Sequence, residues 1–177
     1  TDSLRLSDPF KIRGSLDLTA PNGAQQWEVG QTYAITWSKL GAIAAAKLQI
    51  TTDADAGTPV YTALADGTTP TPQDTQNISL AGASPYTFNW VVPDVPGITT
   101  TKARIRVVDA NDSTVYDTST ANFTIKGRVD LTGPNGGATY TVGQGVVISG
   151  SVFGPITSVT ARYSTDDGAT YLGVPTG

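Results

Sequence analysis

The 177-residue chain contains no cysteine, no histidine and no methionine. Without cysteine there is no disulfide and no thiol nucleophile. Without histidine there is no imidazole base, and the usual zinc ligand sets cannot be assembled. A Ser-His-Asp triad is excluded for the same reason. Charge is sparse, at 15% of residues, and the 11 lysines and arginines are scattered among 15 acidic residues for a net −4. No basic stripe results, so nucleic acid is not an expected partner. No stretch reaches ~18 uninterrupted apolar residues, and no membrane-spanning helix is expected. Helical periodicity is almost missing, and the Ala-rich run at 41–47 is too short to stand alone as a helix. The Gly-rich turns lack the strand–loop–helix context of a phosphate site.

What the chain has in quantity is threonine (28 residues), with 19 glycines and 11 prolines. Threonine favours strands, whereas glycine and proline favour turns and strand edges. The expected class is all-β. The strongest signal is a stretch that occurs twice. Residues 14–37 and 127–150 align without a gap at an offset of 113, with 11 of 24 positions identical. Phe10-Lys-Ile-Arg-Gly14 likewise matches Phe123-Thr-Ile-Lys-Gly127. A fixed period of this size indicates tandem domains. Residues 1–14 are read as the last strand of a preceding repeat, 15–127 as one complete repeat, and 128–177 as the first part of a following one. The chain thus reads as a window from a longer array. In that reading residues 1–14 do not pack into the 15–127 unit. The short junction at Gly127, Arg128, Val129 and Asp130 restricts rotation and favours an extended, semi-rigid row.

Within 15–127, alternation marks the strands. Tyr33, Ile35 and Trp37 share one side; Leu48 and Ile50, Phe88 and Trp90, Ile105 and Val107, and Phe123 and Ile125 do the same on later segments. These eleven residues are expected to form one buried cluster. Weaker strands are expected at 27–29, 60–64 and 77–80, with a long polar loop at 65–76 and a turn at 109–112. Seven to nine short strands at this spacing, joined by short connections, predict an antiparallel β-sandwich.

The motif Pro-Asn-Gly followed by Trp27-Glu-Val-Gly30 and Ile35-Thr-Trp37 comes first. Tyr86-Thr-Phe-Asn-Trp-Val-Val-Pro93, Ala103-Arg-Ile-Arg-Val-Val-Asp-Ala110 and Asn122-Phe-Thr-Ile125 follow in order. This set resembles the tandem immunoglobulin-like repeats of large bacterial secreted and cell-surface proteins, and is similar to the module that opens certain Ser/Thr-rich cell-wall proteins. The resemblance implies an immunoglobulin-like fold and an extracellular or cell-surface location. It implies no chemistry, because its residues are turn formers and core aromatics. The second copy departs from the motif at Gly150, the counterpart of Trp37, and must pack its core differently.

Candidate sites are few. Asp109, Asn111 and Asp112, or Asp53 with Asp55, could offer oxygens to a cation. Neither set has a metal-loop spacing, and the same residues are ordinary turn formers. Ser164-Thr-Asp-Asp-Gly-Ala-Thr-Tyr171 fits an Asp-box pattern, read as a structural hairpin. Thr68, Thr69 and Thr71 sit among prolines, as in O-glycosylated segments, on a loop expected to project. Asn77, Asn111 and Asn122 open N-glycosylation triplets. Trp37 and Trp90 have inward parity and read as core; Trp27 follows a turn and is expected to be partly exposed, the one candidate for sugar stacking.

The reading is a structural spacer repeat of a long extracellular cell-surface or fibre-forming protein. It is not an enzyme and needs no cofactor. Its partners are neighbouring repeats of the same chain, with other copies of itself or surface glycans as further partners. The alternatives are a self-assembling filament or lattice subunit, and a carbohydrate-binding or accessory module of a secreted hydrolase.

Overall fold

The computed structural model describes residues 8–174. Fourteen strands follow one another: β1 (Ser15–Ala20), β2 (Gln26–Glu28), β3 (Thr32–Leu40), β4 (Ala45–Thr51), β5 (Thr62–Ala63), β6 (Ile78–Ser79), β7 (Tyr86–Val91), β8 (Thr100–Asp109), β9 (Tyr116–Thr118), β10 (Phe123–Lys126), β11 (Arg128–Gly133), β12 (Ser149–Phe153), β13 (Arg162–Tyr163) and β14 (Leu172–Gly173). No helix occurs among the described residues. The protein is all-β.

Two sheets build the first part of the chain. One has the order β1-β3-β7; the other runs β2-β10-β8-β4-β5, with β6 added to β4 and β9 added to β8. Their inward faces share one core. Leu18, Ile35, Trp37, Phe88 and Trp90 come from the first sheet, and Leu48, Ile105, Val107, Phe123 and Ile125 from the second. An arrangement of two sheets over one core fits a β-sandwich. Each of the large side chains taken out of water contributes ~1.5–3 kcal/mol, which is what holds the two layers together. The sheets are also tied by polar contact: the Leu18 amide of β1 donates to the Asp117 carboxylate of β9 at 2.7 Å. The buried indole of Trp90 donates to the Ala65 carbonyl at 2.8 Å.

Ten of the eleven expected core residues belong to this cluster, and Tyr33, half-buried, packs against it from the rim. Four expectations need correction. Trp27 is buried, not partly exposed. Its short strand turns the indole inward, where it stacks on Tyr33 (4.9 Å between rings) and meets Phe123 at 4.7 Å. The sheets are not wholly antiparallel, because β2 pairs parallel with β10. The chain crosses from the first sheet to the second between β1 and β2, so β2 arrives running the same way as the closing strand. The segment at 60–64 pairs only over Thr62 and Ala63. Finally, β9 was not expected; three residues carry too little alternation to reveal a strand.

Residues 128–174 contribute only β11–β12 and the β13–β14 hairpin. The pairing of β11 with β12 runs Arg128↔Phe153, Val129↔Val152, Asp130↔Ser151, Leu131↔Gly150, then a register shift to Gly133↔Ser149. The pairing of β1 with β3 runs Ser15↔Leu40, Leu16↔Lys39, Asp17↔Ser38, Leu18↔Trp37, then a shift to Ala20↔Thr36. Every pair lies 113 positions from its counterpart, as 128 from 15 and 153 from 40, and the irregularity falls at the same step.

Residues 1–7 of the expected preceding strand lie outside the described residues. Residues 8–14 form no strand in this chain.

Candidate functional site

Several contacts join the two-sheet unit to residues 128–174. Strand β10 ends at Lys126 and β11 starts at Arg128, so Gly127 alone separates them. Its lack of a side chain is needed. A Cβ there would lie 2.9 Å from both the Ile156 side chain and the Phe153 carbonyl oxygen. The same holds 113 residues earlier, where a Cβ on Gly14 would meet Ile43 at 2.7 Å and the Leu40 carbonyl oxygen at 2.8 Å.

Arg128 locks the joint from both sides. Its guanidinium lies 4.2 Å from the Phe153 ring centroid, bonds the carboxylate of Asp130, and donates from Nε to the Val29 carbonyl at 3.4 Å. Its side chain is largely covered. Phe153 packs against the edge of the core beside Gly30. The Gly154 amide donates to the Asp94 carboxylate at 3.1 Å. An aromatic contact and two hydrogen bonds therefore cross a one-residue connection, and the Arg128–Phe153 stack braces its far side. Sequence reasoning located the junction but missed Phe153, Arg128 and Asp94 as its parts. Their counterparts in the first copy, Leu40 and Ser15, are of different chemical types, so no repeated motif marks them.

A groove of about 660 Å³ opens beside the joint, lined by Thr32, Asp66, Thr68, Val91, Asp94 and Phe153. Its wall is the 65–76 loop, and this loop does not project as expected. The Asp66 carboxylate accepts the Gln73 amide at 2.9 Å and the Val91 amide at 3.1 Å. Gly67 donates to the Val91 carbonyl, and the Leu48 amide donates to the Thr75 carbonyl. Burial raises the Asp66 carboxyl, but hydrogen bonding by the Gln73 amide, by Thr68 and by the Val91 amide together outweighs it and holds the group below its ordinary value. Sequence composition gave polarity but not the buried acceptor that folds the loop back. The tip stays outside: Thr69 and Thr71 are exposed, while the Thr68 hydroxyl oxygen is buried.

The remaining candidates are committed to local structure. Asp109 accepts the Asn111 amide at 2.9 Å, closing the turn. Asp112 accepts from the Thr114 hydroxyl at 2.5 Å and binds Lys11 at 2.9 Å and Arg13 at 3.5 Å. The Thr114 hydroxyl and then Lys11 push its carboxyl far down. Residues 8–14 are thereby held against the sandwich at this turn. Asp53 and Asp55 both approach the Lys102 ammonium, at 3.7 and 3.8 Å. Among the described residues, no three acidic side chains converge as a metal ligand set would. Asn77 and Asn111 are exposed, whereas Asn122 is half-buried, its amide nitrogen donating to Asp55 at 2.9 Å.

The Ser164–Tyr171 stretch forms the turn of the β13–β14 hairpin. Asp166 accepts the Thr170 amide at 2.8 Å and the Thr170 hydroxyl at 2.5 Å, and Ser164 accepts the Gly168 amide at 2.8 Å. The hydroxyls of Thr170 and Ser164 bring the Asp166 carboxyl down to about 2. All three tryptophans are buried, so none offers a face to a sugar.

Comparison with protein-family models, with curated proteins and with solved structures finds no match to this chain.

Proposed function

We propose that the chain is a non-catalytic structural stretch of a long extracellular cell-surface or fibre-forming protein. In this reading immunoglobulin-like units follow one another every 113 residues and are held in a semi-rigid row by joints of the Gly127 type. The carrying observation is the repeated pairing of β11–β12 and β1–β3, including the position of the irregularity. The strand order also supports it. An immunoglobulin-type sandwich places its first, second and fifth strands in one sheet and its third, sixth and seventh in the other. The orders β1-β3-β7 and β4-β8-β10 follow that partition, with β2 as the segment that switches sheets. The extracellular location rests on the resemblance of the motifs.

The joint supplies the mechanical part. A single-residue linker leaves little rotational freedom. Phe153 and Arg128 remove more by filling the space between the sandwich and the next strand pair. Residual dipolar couplings measured on residues 15–127 and 128–174 test this. One common alignment tensor is expected in the native protein, and two after a Gly-Ser insertion at Gly127 or in Arg128→Ala/Phe153→Ala. Independent tensors in the native protein would end the semi-rigid reading.

A second reading, self-assembly into a filament or lattice, is favoured by the apolar side chains of Val129, Leu131, Ile148 and Val152, which are open to solvent. Sedimentation velocity over a range of concentrations tests it. Concentration-dependent association that Leu131→Asp abolishes supports this reading, and a monomer throughout removes it.

A further inference from the structure

The outer face of the larger sheet carries a cluster that the core does not require. Cross-strand pairing sets Gln49 opposite Arg106 and Arg106 opposite Thr118, while Lys47 lies opposite Val108 and Arg104 opposite Thr51. These residues therefore share one face, the one turned away from the core. The Arg106 guanidinium is stacked between two rings, 3.6 Å from the Tyr61 centroid and 4.6 Å from that of Tyr116. Its Nε donates to the Thr118 hydroxyl at 3.2 Å. On the same face, Val108 and Thr51 are buried although they point away from the core. Arg106, Arg104 and Lys47 form no ion pair among the described residues. In a chain of net charge −4, three unpaired cations on one sheet face are a local reversal of sign.

A guanidinium held against two aromatic rings has already lost much of its rotamer freedom, and its two Nη nitrogens find no acceptor among the described residues. That fork matches a carboxylate, which can take two parallel N–H bonds. Tyr116 is half open to solvent, and Gln49 lies directly opposite Arg106 on the same face. An aromatic ring with a polar tip beside an amide suits a pyranose ring and its hydroxyls. A second copy of this chain is a poorer occupant, because it carries the same net −4 and is repelled at low salt.

We propose that this face binds a uronate-bearing polysaccharide, with Arg106 receiving the sugar carboxylate and Tyr61, Tyr116 and Gln49 framing the ring. The test is calorimetric titration of the whole chain with hexagalacturonate at low salt. Fully methyl-esterified hexagalacturonate and hexaglutamate serve as comparisons. Binding to the uronate is expected, weakened at least about tenfold by esterification or by Arg106→Gln. Arg106→Lys keeps the charge but not the fork, and is expected to fall between. Lys102→Gln, on a lysine already paired with Asp53 and Asp55, leaves binding unchanged. Near-UV circular dichroism of the buried tryptophans checks folding, and if Arg106→Gln is misfolded Arg106→Lys decides. No binding by the native chain overturns the proposal. So does unchanged affinity in the arginine variants, or hexaglutamate binding as tightly as the uronate.

Discussion

Leu18 and Leu131 stand at equivalent places, 113 positions apart, on strands with the same pairing partners in the same order. Leu18 is 2% exposed and Leu131 is 57% exposed. The contrast continues at Val29 and Val142, which are 0% and 106% exposed. Local sequence dictates the same strand pairing twice, because turn residues and alternation act over a few residues. Burial is not local. In the first copy, β7, β8 and β10 bring Phe88, Trp90, Ile105 and Phe123 over Leu18. In the second, residues 128–174 supply no such strands, and Gly150 stands where Trp37 would fill the centre. A strand pair is thus specified by its own residues, whereas a core is specified only by all of its layers.

The largest effect that would sharpen this comparison is at the centre of the complete core. Trp90→Ala removes a fully buried indole and is expected to cost ~3–5 kcal/mol, read from the urea midpoint of a chain of residues 1–177. The paired test comes next. Leu18→Ala is expected to cost ~2–5 kcal/mol, and Leu131→Ala no more than ~0.5 kcal/mol. Equal costs at the two positions would break the comparison, since the second strand pair would then have a covered core in solution.

A smaller effect is expected at Asp66. Asp66→Ala leaves the amides of Gln73 and Val91 without their acceptor, at a cost of ~1–3 kcal/mol. Faster hydrogen exchange at Gln73 and Val91 would report it, while the amides of β13 and β14 stay unaffected. The Asp66 carboxyl is held below its unfolded value, so its contribution is present above roughly pH 4 and is lost as pH falls.

The smallest effect separates the hairpin of the second region from the first. The Asp166 carboxyl titrates at about 2 in the hairpin and near the ordinary 3.8 when the turn opens. Its stabilisation of the turn is therefore complete above about pH 4 and is lost as pH falls through about 2. The Thr170 amide resonance should move as pH falls through about 2 in the native chain and not in Asp166→Asn. A Thr170 amide that shifts identically in both would remove Asp166 from the turn.

Taken by itself, the sequence determined the class, the strand phases and the internal match at an offset of 113. Period-two alternation decides which side of a strand is apolar, and that identified Trp37, Trp90, Ile105 and their companions as core. Turn chemistry at Ser164, Asp166 and Gly168 likewise foretold a hairpin, because its hydrogen bonds stay within a few residues. The contacts that fix the joint and the outer-face cluster were not legible. Arg128, Phe153 and Asp94 meet only after the chain has closed one sandwich and begun the next strand pair. Tyr61, Arg106 and Tyr116 are far apart in sequence and become neighbours through the register of β4, β8 and β9. Trp27 shows the same division: its turn-side position suggested exposure, and only the parallel pairing of β2 with β10 turned it inward. Tertiary structure decided these cases because burial and side-chain juxtaposition depend on which distant strands are laid alongside, and no short window of residues encodes that.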